Sequence, residues 1–305
     1  KCMNAMMVIY ITERIWRLTM ARNALNEAIM NSLGESKEEK EKNVERKENA
    51  IEKLIIEKTL NSLFYAPKKM EEELDFVKQM FTRGAGSDER VGLHASAIIV
   101  GENDFCYRQQ VLSLLYKQTQ GSEVPQQLKR IFEEGNAIHE KWQRLFIRGG
   151  LGKPEDMDRT RRIKKYELSF TPDAIITIAG KKYVVEIKSM NPIAFKHATS
   201  HPSGEKQCQL YMHFTGIPRG FVLAECKGTQ QFKVFLLEYD HKVVRPFLSR
   251  LQEVRAMKNN MLKRKEIPVR KCKNCDTKRA QSCSMKDACF NVGIGRIRLE
   301  ANDED

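Results

Sequence analysis

Two short β-rich runs joined by a tight turn constrain this chain more than any other feature. Ala174 to Ile178 and Tyr183 to Ile187 are rich in apolar and β-branched residues, and Ala179-Gly180-Lys181-Lys182 supplies the turn between them. Thr171-Pro172-Asp173 leads into the first run, and Glu186-Ile187-Lys188 closes the second, with Glu186 thirteen residues after Asp173. Residues two apart on a strand share a face, so Glu186 and Lys188 project together while Val185 and Ile187 point into the core. The hairpin can therefore set the Asp173 carboxylate beside that of Glu186.

The remaining pattern is mixed. Apolar spacing predicts a helix over residues 5 to 32, and the unbroken alternation of acids and bases from Ser36 to Lys58 predicts an exposed one. Gly84 to Val91 reads as a linker. Helices are expected near 105–118, 126–147 and 205–214, strands at 219–225 and 231–238, and a basic amphipathic helix over 241–263. With Tyr166 to Phe170 as a first strand, the hairpin reads as a three-stranded meander. The class is α/β, and 305 residues allow a large domain with an appendage or two modest domains. The divisions we expect are a charged helical extension over 1–85, a core over 86–266, and a cysteine-rich segment with an acidic tail over 267–305.

No run reaches the roughly 18 to 20 apolar residues of a membrane-spanning helix. Met3 to Thr12 is too short, and Glu13, Arg14 and Arg17 follow it without a small-residue cleavage site, so neither a membrane anchor nor export is expected. Lys and Arg number 53 against 40 Asp and Glu, a net charge of +13 that favours polyanionic partners. Residues 241–290 hold 14 basic and 4 acidic side chains, most of that surplus, and Arg159, Arg161, Arg162, Lys164 and Lys165 form a second basic run. Either run could be a solvated face, and nothing suggests base-specific readout. No phosphate-binding Gly-rich loop of the Walker type is present, so helicase activity would have to come from a partner.

Two oxygen-donor side chains held together suit Mg²⁺ or Mn²⁺. A carboxylate-held cation can activate water and relieve charge on a phosphate, and the Lys188 ammonium can orient or help deprotonate that water. The bland alternative is a surface hairpin on which Glu186 and Lys188 are merely an exposed pair. His139, in a helical segment, could approach such a cation, though a lone helical His is more often an ordinary hydrogen-bonded residue. Gln207 and Tyr211 lie four apart on one helical face and could touch DNA backbone or steady Lys188.

Of eight cysteines, Cys272, Cys275, Cys283 and Cys289 fall within 18 residues, spaced C-x2-C-x7-C-x5-C. Such bunching suggests a thiolate site for zinc or for iron and sulfur, and spacing does not choose between them. Cys208 and Cys226 read as small core residues.

The residues PD at 172–173 and EIK at 186–188 resemble the PD-(D/E)XK nuclease signature. Gly135-Asn136-Ala137-Ile138-His139-Glu140 is similar to the G-x-x-x-H-E segment of the RecB-like exonuclease branch, and Gln207 to Tyr211 to its Q-x-x-x-Y motif. Phe105-Cys106-Tyr107-Arg108 resembles the upstream C-x-R element of the iron–sulfur members of that branch, which include AddB and CRISPR-associated exonucleases. The resemblance covers roughly residues 95 to 290. It implies a restriction-endonuclease-like core, a mixed central sheet flanked by helices, with a helical N-terminal extension and a C-terminal cysteine cluster. It further implies a DNA exonuclease in which His139, Asp173, Glu186 and the Ile187 backbone carbonyl hold Mg²⁺ or Mn²⁺, Lys188 assists the water, and Gln207 and Tyr211 position substrate. A [4Fe–4S] cluster would take four of Cys106, Cys272, Cys275, Cys283 and Cys289; the family spacing is C-x2-C-x5-C, so the spare thiol stays open. The substrate implied is DNA, chiefly single-stranded ends, in recombination, repair, phage replication or CRISPR adaptation, in the cytoplasm of a bacterium or a phage-infected host, with a helicase or recombination partner. The rivals are an inert DNA-binding or assembly subunit that keeps the fold and cluster, and a zinc-stapled endonuclease of the same fold.

Overall fold

The computed structural model of the chain describes residues 37–66, 92–116 and 126–291. The expected helix over 5–32 and the linker over 84–91 lie outside these residues. In chain order the elements are α1 (Lys37–Leu63), β1 (Leu93–His94), α2 (Ala95–Ile98), α3 (Tyr107–Ser113), α4 (Gln126–Arg148), β2 (Arg161–Ile163), β3 (Leu168–Phe170), β4 (Ala174–Ile178), β5 (Lys181–Met190) and α5 (Pro192–His197). There follow α6 (Pro202–Thr215), β6 (Arg219–Cys226), β7 (Phe232–Glu238), α7 (His241–Arg264), α8 (Lys278–Gln281) and α9 (Lys286–Asn291). Among the described residues no helix is long and apolar enough to cross a membrane.

The chain forms two compact units. One takes the described part of Lys1–Arg83 with Gly135–Arg159 and Pro172–Tyr239. Its sheet runs β4-β5-β6-β7, antiparallel at both edges and parallel in the centre, where β5 pairs with β6. A parallel pair needs a crossover, and the segment carrying α5 and α6 provides it. This is the mixed sheet flanked by helices that the sequence leads one to expect. Alternation along β5 and β6 sends Tyr183, Val185, Ile187, Phe221 and Leu223 into a core shared with Trp142, Leu145 and Phe146 of α4 and Ile56, Leu60 and Leu63 of α1. The charged helix thus ends in a buried apolar stripe, although its earlier turns are mostly exposed. On the opposite face α6 lies close against the sheet: a Cβ on Gly220 would sit 2.7 Å from Cys208 Sγ and 2.8 Å from the Val184 carbonyl.

The other unit takes the described parts of Gly84–Glu134, Thr160–Thr171 and Asp240–Asp305. Its small sheet has the order β1-β3-β2. Leu168 to Phe170 pairs here, parallel to β1 and antiparallel to β2, so the expected three-stranded meander is not formed. Pro172 accounts for the break: it has no N–H to continue a ladder, and the chain changes sheets at Thr171-Pro172. The face of α7 carrying Val244, Phe247, Leu251 and Val254 is buried. Arg250 on that helix is buried too, donating to the carbonyls of Ile98 (2.8 Å) and Val100 (2.5 Å) and lying over the Phe105 ring.

Candidate active site and cysteine centre

The β4–β5 register, Ala174 opposite Val185, places Asp173 next to the Glu186–Lys188 stretch. Asp173 is held from several directions. Its Oδ2 accepts from the Ile187 N–H at 2.6 Å, and its Oδ1 lies 3.2 Å from His139 Nδ1. Its backbone carbonyl accepts from Gln143 Nε2 at 2.8 Å and from the Asp158 N–H at 3.3 Å. His139 and Gln143 are one turn apart on α4, so a single helix orients both the imidazole and the acid it meets.

Glu186 is 1% exposed. Its Oε1 forms an ion pair with Lys188 Nζ, while Oε2 is buried without a hydrogen-bond partner among the described residues. Burial, and then the charge of Asp173, push its carboxyl well above the usual range, against the pull of Lys188 and His139. Burial would lower the pKa of Lys188, but the charge and hydrogen bond of Glu186 outweigh it and hold the ammonium charged. The same competition acts at His139, where burial is outweighed by Asp173 and, more weakly, by Glu186 and Asp158, so its pKa rises.

Lys188 Nζ also donates to Gln207 Oε1 at 3.4 Å, and Gln207 Nε2 donates to the Tyr211 hydroxyl at 2.7 Å. A hydrogen-bonded line therefore runs from Glu186 through Lys188 and Gln207 to Tyr211. Tyr211 is fully buried, and its hydroxyl joins the site through Gln207; burial and the charge of Glu186 push its pKa up. Among the described residues no three His, Cys, Asp or Glu side chains gather tightly enough to hold a metal ion as they stand; the acids are paired with His139 and Lys188 instead.

Several neighbours escape a reading of motifs. Asp158, in a left-handed conformation at φ +45, acts electrostatically on His139. His201 caps α6 by accepting from the Gly204 N–H at 3.1 Å; burial and the charge of Lys188 lower its pKa. Glu225, 1% exposed on β6, accepts from Lys141 Nζ at 2.5 Å and Trp142 Nε1 at 2.6 Å. Only Glu225 leaves a trace in the sequence, as a lone acid in the apolar run Phe221 to Cys226.

In the other unit Cys106, Cys272, Cys283 and Cys289 line one small cavity. The thiol of Cys283 is pushed up by burial and then by the nearby charges of Cys106, Cys289 and Cys272. Cys275 is not in that wall; its Sγ faces Asp276 Oδ1 at 3.6 Å. The segment carrying Cys106 is tied to the C-terminal cysteines by cations on carbonyls. Arg108 donates to Pro268 (3.0 Å) and Cys289 (2.9 Å), Lys271 to Glu102 (2.7 Å) and Asn103 (3.0 Å), and Arg279 to Asn103 (2.8 Å) and Asp104. Cys208 on α6 and Cys226 at the end of β6 are buried.

Distant structural likenesses exist. Solved structures similar to the chain include SSO0001, at 14% identity and a TM-score of 0.37, covering 65% of this chain and 88% of that one. They also include the alkaline exonuclease LHK-Exo from Laribacter hongkongensis, at 16% identity and a TM-score of 0.38, covering 57% of this chain and 92% of that one. The same enzyme in complex with dAMP gives 16% identity, a TM-score of 0.40 and the same coverage. No family model matches the chain, and no curated protein does. At these values the likenesses assign no role to any side chain.

Proposed function

We propose that the chain is a metal-dependent deoxyribonuclease of the PD-(D/E)XK type that hydrolyses phosphodiester bonds at DNA ends, single-stranded ends above all. The observation that carries this reading is Glu186 Oε2. A carboxylate oxygen buried without a partner, with a second carboxylate near enough to raise its pKa, is costly unless a cation joins them. Three oxygen donors with one imidazole fit Mg²⁺ or, better, Mn²⁺. Asp173, Glu186, His139 and the Ile187 backbone carbonyl would hold the ion, which when bound lowers the pKa of water and offsets charge on the phosphate.

The chain's own groups do the rest. Lys188, kept protonated by Glu186, presents a positive charge that offsets the charge of the phosphate and an N–H that can orient the attacking water through its lone pair. Gln207, braced by Tyr211, fixes where that ammonium sits. Gln143 and the Ile187 N–H prevent Asp173 from turning away. Cys106, Cys272, Cys283 and Cys289, which line one cavity, would take a [4Fe–4S] cluster; zinc is the alternative. Exposed cations on and after α7 would meet the phosphate backbone without reading sequence. DNA-end processing in recombination, repair, phage replication or CRISPR adaptation is the setting this chemistry suits.

Cleavage of end-labelled single-stranded DNA with Mn²⁺ tests the reading. The parent should cut open but not circular strands, and Lys188→Ala or Asp173→Asn should reduce the rate by about 10²-fold or more. Equal cutting by parent and variants, or binding without cutting under every divalent ion tried, would leave a noncatalytic DNA-binding subunit.

A further inference from the structure

Glu225 is a carboxylate that no step of the proposed reaction uses, yet it is more deeply buried than Asp173. Removing such a charge from water costs several kcal/mol unless good partners replace the hydration. It has two, at 2.5 and 2.6 Å, and both belong to α4: Lys141 Nζ and Trp142 Nε1. These donors lie two and three residues beyond His139.

The sheet makes the placement specific. Glu225 is the register partner of Ser189, so it stands on β6, one strand beyond β5. Asp173 leads into β4, on the opposite side of β5. α4 is therefore pinned from both sides of β5, by Trp142 and Lys141 to Glu225 and by His139 and Gln143 to Asp173. On a helix of 100° per residue, positions 142 and 143 flank the direction of position 139 one turn away. Their two hydrogen bonds leave the helix neither free to roll nor free to slide. The Trp142 ring is clamped in turn by Phe64, Phe146 and Phe232, at centroid distances of 5.5, 6.0 and 5.1 Å.

We infer that Glu225 is a positioning residue for the metal centre: through Trp142 and Lys141 it sets the rotation of α4 at which His139 and Asp173 converge. The inference rests on the nuclease reading above and deepens it. Outer partners that orient ligands typically change metal affinity by about 10–100-fold when removed. Glu225 differs from those partners only in acting through a helix rather than on the ligand itself.

The test measures Mn²⁺ binding to the purified 305-residue chain by calorimetry or electron paramagnetic resonance, alongside thermal melts. Glu225→Ala should raise the Mn²⁺ Kd by about 10-fold or more. Trp142→Phe, which keeps the ring and loses the N–H, should raise it less, and Glu225→Gln, which keeps an acceptor for Trp142, should recover much of the loss. Asp173→Ala is the reference. If Asp173→Ala abolishes binding while both Trp142→Phe and a folded Glu225→Ala bind as the parent does, the positioning role is overturned and the nuclease site stands. If Asp173→Ala binds Mn²⁺ like the parent, the metal site itself is wrong and the role of Glu225 falls with it. Should Glu225→Ala not fold, Trp142→Phe decides: an unchanged Kd overturns the inference.

Discussion

If the proposed four-thiolate cluster forms, five cysteines compete for its four places, and their surroundings separate them. Cys106, Cys272, Cys283 and Cys289 share a cavity wall, and Cys275 faces its own neighbour Asp276. Cys275→Ser should therefore retain the parent's iron and sulfide content and its absorption near 400 nm, whereas Cys106→Ser and Cys283→Ser should lose most of both. Loss of the chromophore in Cys275→Ser would return that thiol to the ligand set. The spacing of C-x2-C invites the opposite choice, because a sequence shows nearness along the chain and not the direction of a side chain. The same limit separates the acids. Asp173, Glu186 and Lys188 are legible because strand periodicity and one tight turn bring them together within sixteen residues. Glu225 is not, since its partner Trp142 is 83 residues away and only the packing of α4 across the sheet joins them.

At the scale of elements, the hairpin that carries the acids turns through Ala179 and Gly180, with φ of +49° and +77°. Two left-handed residues define a type I′ turn, where Ala carries a Cβ penalty that Asn tolerates better. Ala179→Asn should raise stability by about 0.5–1 kcal/mol, and Gly180→Val should lower it by about 1–2 kcal/mol, read from urea midpoints at unchanged slope. The turn is legible at Ala179-Gly180, although Lys181 and Lys182, expected within it, already pair as the start of β5; the partner sheet of β3 is not, because Pro172 breaks a ladder without saying where the preceding strand goes. α1 is attached to the same sheet by Glu52, which accepts from the Tyr183 hydroxyl at 2.6 Å and Lys181 Nζ at 3.0 Å and lies 3.5 Å from Arg219 Nε. Burial raises the Glu52 carboxyl, but these donors and charges outweigh it and hold it below its ordinary value of 4.5. A carboxyl with a depressed folded-state pKa stabilises above its ordinary value and loses that contribution as pH falls through the lower one. Glu52→Gln should accordingly cost about 1 kcal/mol at pH 7, and the gap in melting temperature from the parent should close below pH 4.5. A gap constant down to pH 3 would mean that packing, not charge, attaches the helix.

For the whole molecule, a net charge of +13 overstates what a polyanion would meet. Arg108, Arg250, Lys271 and Arg279 satisfy backbone carbonyls inside their unit, and Lys258 pairs with Glu167 at 2.6 Å. These cations fold the chain, so a count of Lys and Arg cannot distinguish them from an interface. Arg162, Lys164 and Lys165 are different: all three are exposed, on and just after β2. If they meet phosphates, replacing all three by Gln should weaken single-stranded DNA binding equally for unrelated sequences of the same length. The plot of log K against log salt should become shallower by about 0.7 for each phosphate no longer neutralised. Fluorescence anisotropy over a salt series measures both quantities. An unchanged slope would remove this run from the interface and leave the phosphates to the exposed cations of α7, among them Arg245, Arg255 and Lys263. A weakening confined to one sequence would contradict backbone recognition altogether, since a cation on a phosphate has no means of telling one base from another.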